Sequence, residues 1–417
     1  MKVELGYGKT TQIIDVPDQC FRGELHANHV DVALTGSEEV RRALLDPIGS
    51  APLGDIVHPG EKIAVITSDI TRPCPSFEIL PPLLEELEAD GISLEDITVV
   101  FALGSHRPHT EAEQRRLVGD AVFEKVRCID GDVEDTVHLG VTKRGTPVDI
   151  VRPVAEADRR ICLGNIEYHY FAGYSGGAKA IMPGSSTPKA IQMNHRFMVD
   201  AASYQSHLEG NPVREDIEEA AAMVGVDFIL NVVLDEEKRI IKAVAGDVTA
   251  AHRVGCAFLD TLYKVEIEEK ADIVVVSQGG APKDLNLYQL QKALDNAKHA
   301  VKDGGIIILV GACEEGLGNA NFERWMTGHK RPEDMIEHIQ RDFQLGGHKA
   351  AAIAKVMGMA DIYLVSELAP SFAASMFFKP YHSAQEALAD ALDEKGADAS
   401  VLVMGHGGSV LPFAKRR

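Results

Sequence analysis

The sequence predicts an α/β protein of two domains, and three observations carry that reading. Strand, polar loop and helix follow one another twice in the first half of the chain, the pattern of a sheet with helical crossovers. The same alternation returns more regularly in the last third. At 417 residues the chain also exceeds what one hydrophobic core usually serves. The boundary is expected near residue 265, giving domains over 1–265 and 266–417 with mostly parallel, Rossmann-like sheets.

The elements follow in order. Val3, Leu5 and Tyr7 alternate, and Ile13 to Val16 follow, so two short strands open the chain. After the turn signal HPGE, KIAVIT at 62–67 is an apolar strand running into the proline-punctuated loop SDITRPCPS. The helical pattern FEILPPLLEELEADG comes next, and its prolines predict a late start or a kink. ITVVFAL at 97–103 is a strand, GSHRPH its loop, and Thr110 with Glu113 a capping box for a helix through Leu117. A strand is expected near Arg160 to Leu163. Thr187 and Pro188 then cap and start a helix toward Phe197, and FILNVVLD with RIIKAVAGD reads as a hairpin. In the last third ADIVVVSQGG, GGIIILVGA, ADIYLVSE and ASVLVMGHGG are strands, with helical segments such as LYQLQKALDNAKHAV between them. Loops leaving the carboxyl ends of such strands line the binding crevice, which singles out Asp69, Arg72, His106 and His109.

A formal charge of −21, from 63 acidic against 42 basic residues spread along the chain, opposes binding to nucleic acid and anionic membranes. The basic clusters Arg115-Arg116, Arg159-Arg160 and Lys415-Arg416-Arg417 are short and read as solvated faces. The six cysteines form no CxxC pair, which predicts a reducing compartment without a disulfide framework. No apolar run follows the N-terminal lysine or reaches the length of a membrane span. A cytoplasmic location without signal peptide is therefore expected.

HYFAGYSGGAKAIMPG at 169–184 holds the densest chemistry. A phosphate loop needs glycine before its lysine and a hydroxyl residue after it. Ala178 and Ala180 flank Lys179 instead, which disfavours a nucleoside-triphosphate enzyme. The closely spaced amides of Ser175, Gly176 and Gly177 offer an anion-binding concavity, or simply mark a turn. His169 and His195 bracket the lysine and can supply metal ligands or groups that titrate near neutrality. One imidazole of SHRPH at 105–109 is placed to move a proton, while Arg107 is open to a structural role. Arg72 in DITR offers a fork suited to carboxylate or phosphate, with a surface ion pair as the competing reading. HExxH and cysteine quartets are absent, and the glycine pairs at 279–280 and 407–408 read as turns after strands. These residues alone point to an enzyme acting on a small anion in a polar crevice, without naming the reaction.

DITRP at 69–73, GSHRPHT at 104–110, HYFAGYSGGAKAIMPG, NH at 194–195 and DLNLYQLQK at 284–292 together resemble the nickel-pincer-dependent lactate racemase family, with motifs in both expected domains. The resemblance implies an isomerase, a racemase or epimerase of a small, lactate-like 2-hydroxy acid. It also implies a nickel-pincer nucleotide, a pyridinium-3-thioamide-5-thiocarboxylate mononucleotide with nickel bonded to a ring carbon and two sulfurs. The family lysine that forms the thioamide tether falls on Lys179, and the nickel's remaining ligand falls on His195. The alternating base and acid fall on His106 and His169. The arginine that holds the substrate carboxylate matches Arg72, and Asp69 is expected to orient that loop on the cofactor side. Gln289 and Lys292 match residues that hold substrate and help close an interdomain active-site cleft. Ser175, Gly176 and Gly177 are expected to let the cofactor approach the backbone. Ala178 replaces the usual glycine before the lysine, a change expected to be tolerated.

In the implied chemistry one histidine accepts the hydroxyl proton while hydride leaves C2 for the cofactor ring. The planar 2-keto acid turns in the pocket and regains hydride on its other face, and the second histidine serves the mirror-image substrate. Malate, aromatic or longer aliphatic 2-hydroxy acids and sugar acids are alternative substrates, and a non-catalytic metabolite or cofactor carrier is the alternative of another class. Expected partners are the substrate and, transiently, proteins that build the cofactor. Nucleic acid and membrane are not expected, and the oligomeric state stays open.

Overall fold

The computed structural model describes residues 1–415; Arg416 and Arg417 of the C-terminal basic cluster lie outside the described residues. The chain divides into two compact units, Val30–Asp260 as one and Met1–His29 with Thr261–Arg417 as the other.

In the Val30–Asp260 unit the strands follow the apolar runs. Ile63–Ser68, Ile97–Ala102, Arg159–Asn165 and Phe228–Leu234 are largely buried, as strands covered on both faces must be. They belong to a six-stranded sheet in the order Ile240–Gly246, Phe228–Leu234, Arg159–Asn165, Ile63–Ser68, Ile97–Ala102, Arg127–Asp130. Neighbours are parallel except at the Ile240–Gly246 edge, where the expected hairpin runs antiparallel to Phe228–Leu234. The winding reverses between Ile63–Ser68 and Arg159–Asn165, and ligands of open α/β sheets bind in the crevice beyond such a reversal. The loops leaving these two strands carry Asp69 and Arg72 on one side and His169 and Lys179 on the other.

Helix Ser76–Ala89 contributes Ile79, Leu80, Leu83, Leu84 and Leu87 to the core. It does not start late, and Pro81 and Pro82 lie inside it. Burial of that apolar face, at about 1.5–3 kcal/mol per side chain, outweighs a cost of about 3 kcal/mol for each internal proline. Thr110 and Glu113 form the expected capping box of helix Glu111–Val118, and Thr187 caps helix Pro188–His195.

The other unit holds a parallel six-stranded sheet in the order Lys379–Tyr381, Ala360–Val365, Val301–Val310, Ala271–Ser277, Val401–Met404, Phe21–Glu24. Its edge corrects the expected N-terminal domain over 1–265. Phe21–Glu24 pairs with Val401–Met404, and the hairpin Lys2–Tyr7 with Thr10–Asp15 puts Leu5 and Ile14 in one core with Ile273, Ile308 and Val403. Met1–His29 therefore belongs with the C-terminal part of the chain. A two-stranded hairpin needs another surface to bury its apolar face, and alternation alone does not say which sheet supplies it. All six cysteines are free. Among the described residues no helix is long and apolar enough to cross a membrane.

Candidate active site

The loop after Ile63–Ser68 buries Asp69 to 3% exposure. Its carboxylate accepts from Thr71 Oγ1 at 2.9 and 3.0 Å and lies 2.7 Å from His106 Nδ1. Burial by itself raises the carboxyl pKa; hydrogen bonds from His106 and Thr71, with the charge of Arg72, more than reverse this and hold Asp69 below its ordinary value. An ionised Asp69 puts the His106 ring proton on Nδ1, so the lone pair sits on Nε2. His106 thereby presents Nε2 as a hydrogen-bond acceptor.

His109, the other imidazole of SHRPH, is fully engaged. Its Nδ1 lies 2.7 Å from Asp130 Oδ1, and its Nε2 accepts from Ile70 N–H at 3.1 Å. It fastens the Asp69 loop to the end of Arg127–Asp130 and has no nitrogen left for a substrate. Arg107 pairs with Glu113 of the capping box, a structural role. Arg72 is exposed and makes no ion pair among the described residues, which removes the surface ion-pair reading.

Beyond Arg159–Asn165 the chain forms a two-residue ladder, Tyr168–His169 against Gly173–Tyr174, and then a tight turn at Gly177–Ala180. The expected anion concavity is not available there. Ser175 N–H donates to Glu167 O at 2.8 Å and Gly177 N–H to Asn231 Oδ1 at 2.6 Å, so two of its three amides are already satisfied. On the side where a Cβ would stand, both glycines face protein. Gly176 and Gly177 adopt φ of 72° and 56°, and a Cβ on them would lie 2.7 Å from Asn231 Oδ1 and 2.9 Å from the His252 ring respectively. These glycines let the loop pack onto Asn231 and His252. Ala178 is buried, so its methyl group is accommodated within the interior.

This packing sets Lys179 and His169 deep in the unit, each keeping some open surface. Burial, then the positive charges of Arg72 and Arg214, hold the Lys179 amine well below lysine's ordinary value, against a smaller pull from Glu167. Burial likewise presses His169 well below the ordinary imidazole value, with Lys179, Arg72 and His195 adding to it. Ala172 N–H donates to His169 Nδ1 at 3.2 Å, so the proton of the neutral ring sits on Nε2. The two imidazoles are thus set in opposite tautomers. For His169 to accept a proton at Nε2, its own proton must sit on Nδ1, which gives up the Ala172 bond.

His195 ends helix Pro188–His195, buried, with Nδ1 2.9 Å from Asn194 Oδ1. The Asn194 amide is oriented through its nitrogen, which donates to Val213 O at 3.2 Å and Asp216 Oδ2 at 2.8 Å. Its oxygen therefore faces the histidine and accepts from Nδ1–H. Nε2 then carries the ring's lone pair, and an anchored Nδ1–H is the usual support of a metal-binding imidazole. Asp216 is held in turn by the Thr142 and Thr146 hydroxyls.

Arg214 is a residue that the sequence pattern gave no reason to single out. It is fully buried, with Nε donating to Ala172 O at 3.1 Å and Nη2 to Tyr174 O, while Asn211 Nδ2 reaches Phe171 O at 2.8 Å. One helix start thus grips three carbonyls of the segment that follows His169. Burial lowers the Arg214 pKa to about 10, which leaves it charged. Arg214→Met is expected to strand two carbonyls without donors and to lower the unfolding free energy by about 2–4 kcal/mol, read as a lower urea midpoint. Arg214→Lys is expected to recover only part of the loss, because one ammonium lacks the planar fork that reaches both carbonyls.

Gln289 and Lys292 lie in the other unit, exposed and one turn apart on helix Leu287–Ala297, whose cap Asn286 accepts from Gln289 N–H at 3.0 Å.

Among the described residues no group of three or more His, Cys, Asp or Glu side chains could hold a metal ion. Burial favours the uncharged form of the Lys179 amine, and the His195 imidazole is a donor of the kind nickel accepts. Two family models match this sequence, the lactate racemase N-terminal domain over residues 7–206 and the lactate racemase C-terminal domain over 266–411. The chain belongs to the nickel-pincer-nucleotide lactate racemase family. Over 421 residues it is 34% identical to a lactate racemase of Thermoanaerobacterium thermosaccharolyticum, covering 98% of both chains. It is 32% identical to a lactate racemase of Lactiplantibacillus plantarum, covering 98% of this chain and 99% of the relative. The structure of the T. thermosaccharolyticum lactate racemase apoprotein matches with a TM-score of 0.90 at 32% identity, over 99% of this chain and 100% of that one. A crystal structure from Thermotoga maritima, with a TM-score of 0.63 and 17% identity over 92% of this chain and all of its own, shares the fold alone. As a member of the lactate racemase family, this chain is an isomerase that works with the nickel-pincer nucleotide.

Proposed function

We propose that this chain racemises a short 2-hydroxy acid, lactate or a close analogue, with Lys179 as the tether of the nucleotide and His195 as the protein ligand of its nickel. The observation that carries the proposal is the pair of opposite tautomers, a lone pair on His106 Nε2 and a proton on His169 Nε2, on loops that leave one sheet.

When bound, the nucleotide supplies a reversible hydride acceptor, which leaves binding, orientation and proton transfer to the protein. Arg72 receives the substrate carboxylate in its fork and keeps the 2-keto acid in place while its faces exchange. His106 Nε2 accepts the hydroxyl proton as C2 gives up its hydride and the C2–O bond becomes a carbonyl. Asp69 stabilises the imidazolium so formed. For the mirror-image acid the proton moves at His169. In either direction one imidazole takes the hydroxyl proton of the acid consumed, the other gives a proton as an imidazolium to the keto oxygen as C2 regains hydride, and both exchange protons with water between turnovers. Gln289 and Lys292 complete the proposal as substrate contacts from the second of two Rossmann-like domains, with the active site in the cleft between them. A cytoplasmic location and transient contact with cofactor-building proteins belong to the same reading.

Chirally resolved assays on protein produced together with cofactor-building enzymes test the substrate. Enantiopure lactate is expected to racemise faster than malate and than aromatic, longer aliphatic or sugar-derived 2-hydroxy acids. A different acid at the head of that ranking overturns the choice of lactate, and no racemisation of any of them overturns the reaction.

A further inference from the structure

Two histidines outside this chemistry meet on the other unit. Helix Ala320–Gly328 ends at His329, and helix Pro332–Arg341 carries His338 beside its buried residues Met335 and Ile339. The indole of Trp325 supports both rings. The His338 ring stacks on it at 4.2 Å and 17°, and the His329 ring lies 5.3 Å away. The Trp325 carbonyl accepts from His329 Nδ1–H at 2.8 Å, which fixes that tautomer and turns the lone pair of Nε2 toward His338 Nδ1, 3.0 Å away. His329, His338, Asp334, Glu337 and Arg341 line one surface hollow.

A carbonyl holding one ring nitrogen while the other points at a second imidazole is the arrangement that supports metal-ligating histidines. Two nitrogens 3.0 Å apart, each with a metal–imidazole bond of about 2.0–2.1 Å, subtend an angle of roughly 95° at a shared ion. That angle suits the square-planar and tetragonal ions nickel(II) and copper(II) better than a tetrahedral one. The absence of a larger donor group among the described residues leaves the remaining positions to water.

We propose that His329 and His338 form a two-histidine site for a divalent late transition ion, separate from the nickel of the tethered nucleotide. On binding, the hydrogen bond between the rings is replaced by two metal–nitrogen bonds, and the His338 Nδ1 proton moves to Nε2, so the ligands remain neutral.

Trp325 is the chain's single tryptophan, so all tryptophan emission arises beside this histidine pair. The experiment titrates the full-length, cofactor-loaded protein, after treatment with a chelator, with copper(II) chloride and then nickel(II) chloride, and counts metal per chain by elemental analysis. The expected result is saturable quenching of Trp325 at one added ion per chain, above the nickel that accompanies the adduct mass. His338→Gln and His329→Gln are expected to weaken this binding by about 100-fold, with racemisation unchanged. In copper(II) resonance spectra the native chain is expected to show coupling to two imidazole nitrogens. Quenching that does not saturate, or equal uptake by the native chain and both variants, overturns the site. Because these readings need neither substrate nor turnover, their failure is distinct from failure of the racemase reading.

Discussion

Lys179→Ala is expected to carry no covalent adduct and to racemise at the uncatalysed level. A tether requires a nucleophile. An ammonium has no lone pair, so the amine must be neutral to become a nucleophile. Burial first, and the charges of Arg72 and Arg214 second, already move Lys179 in that direction. Lys179→Arg is expected to fail as completely, because a guanidinium stays protonated and is a poor nucleophile. Lys179→Ala should not lower the thermal midpoint appreciably, since burying this amine is itself unfavourable, whereas Lys179→Arg is expected to lower it, because a charged guanidinium is then buried beside Arg72 and Arg214. Intact-mass analysis with a chiral assay checks both points. An adduct of unchanged mass on Lys179→Ala would place the tether on another residue.

His106→Ala is expected to lower kcat by about 10²–10⁴-fold, the range of a positioned general base. Asp69→Asn, which leaves the imidazole in place, is expected to lose about 10²-fold or more. An amide can present its nitrogen to His106 as readily as its oxygen, and it cannot stabilise the imidazolium as the carboxylate does. Mirror-image acids have equal free energies, so the equilibrium constant between them is one and kcat/KM must fall by the same factor in both directions. A loss confined to one direction would indicate a faulty assay or a net reaction other than racemisation. His109→Ala separates the base from its neighbour. It is expected to loosen the Asp69 loop and reduce stability, because His109 joins Ile70 to Asp130, with a smaller effect on kcat than His106→Ala.

Much of the fold was legible because its strands are written as apolar runs. Ile63–Ser68 and Ile97–Ala102 are buried on both faces, and such strands need no partner to be recognised. Capping was legible for the same local reason at Thr110 and Thr187. The placement of Met1–His29 was not, because a half-apolar hairpin fits the edge of any core and the pairing of Phe21–Glu24 with Val401–Met404 spans nearly the whole chain. At the candidate site, residue types were legible and their states were not. Which histidine of SHRPH is tied down depends on Asp130, and which nitrogen of His169 bears the proton depends on the Ala172 amide. That Gly176 and Gly177 pack closely on Asn231 and His252 follows from contacts that no local pattern shows. Arg214 and Asp216 carried no local motif, and their importance follows from contacts to the segment after His169 and to Asn194 that only the folded chain creates.

In the proposed reaction the hydrogen on C2 leaves as hydride, stays on the enzyme and returns to the same carbon. Incubation of cofactor-loaded protein with enantiopure lactate deuterated at C2, in ordinary water, tests it most directly. The expected product is racemic lactate that keeps its deuterium at C2, read by mass spectrometry of the separated enantiomers. Racemisation with the deuterium washed out into water would show exchange of a proton at C2 and would contradict it.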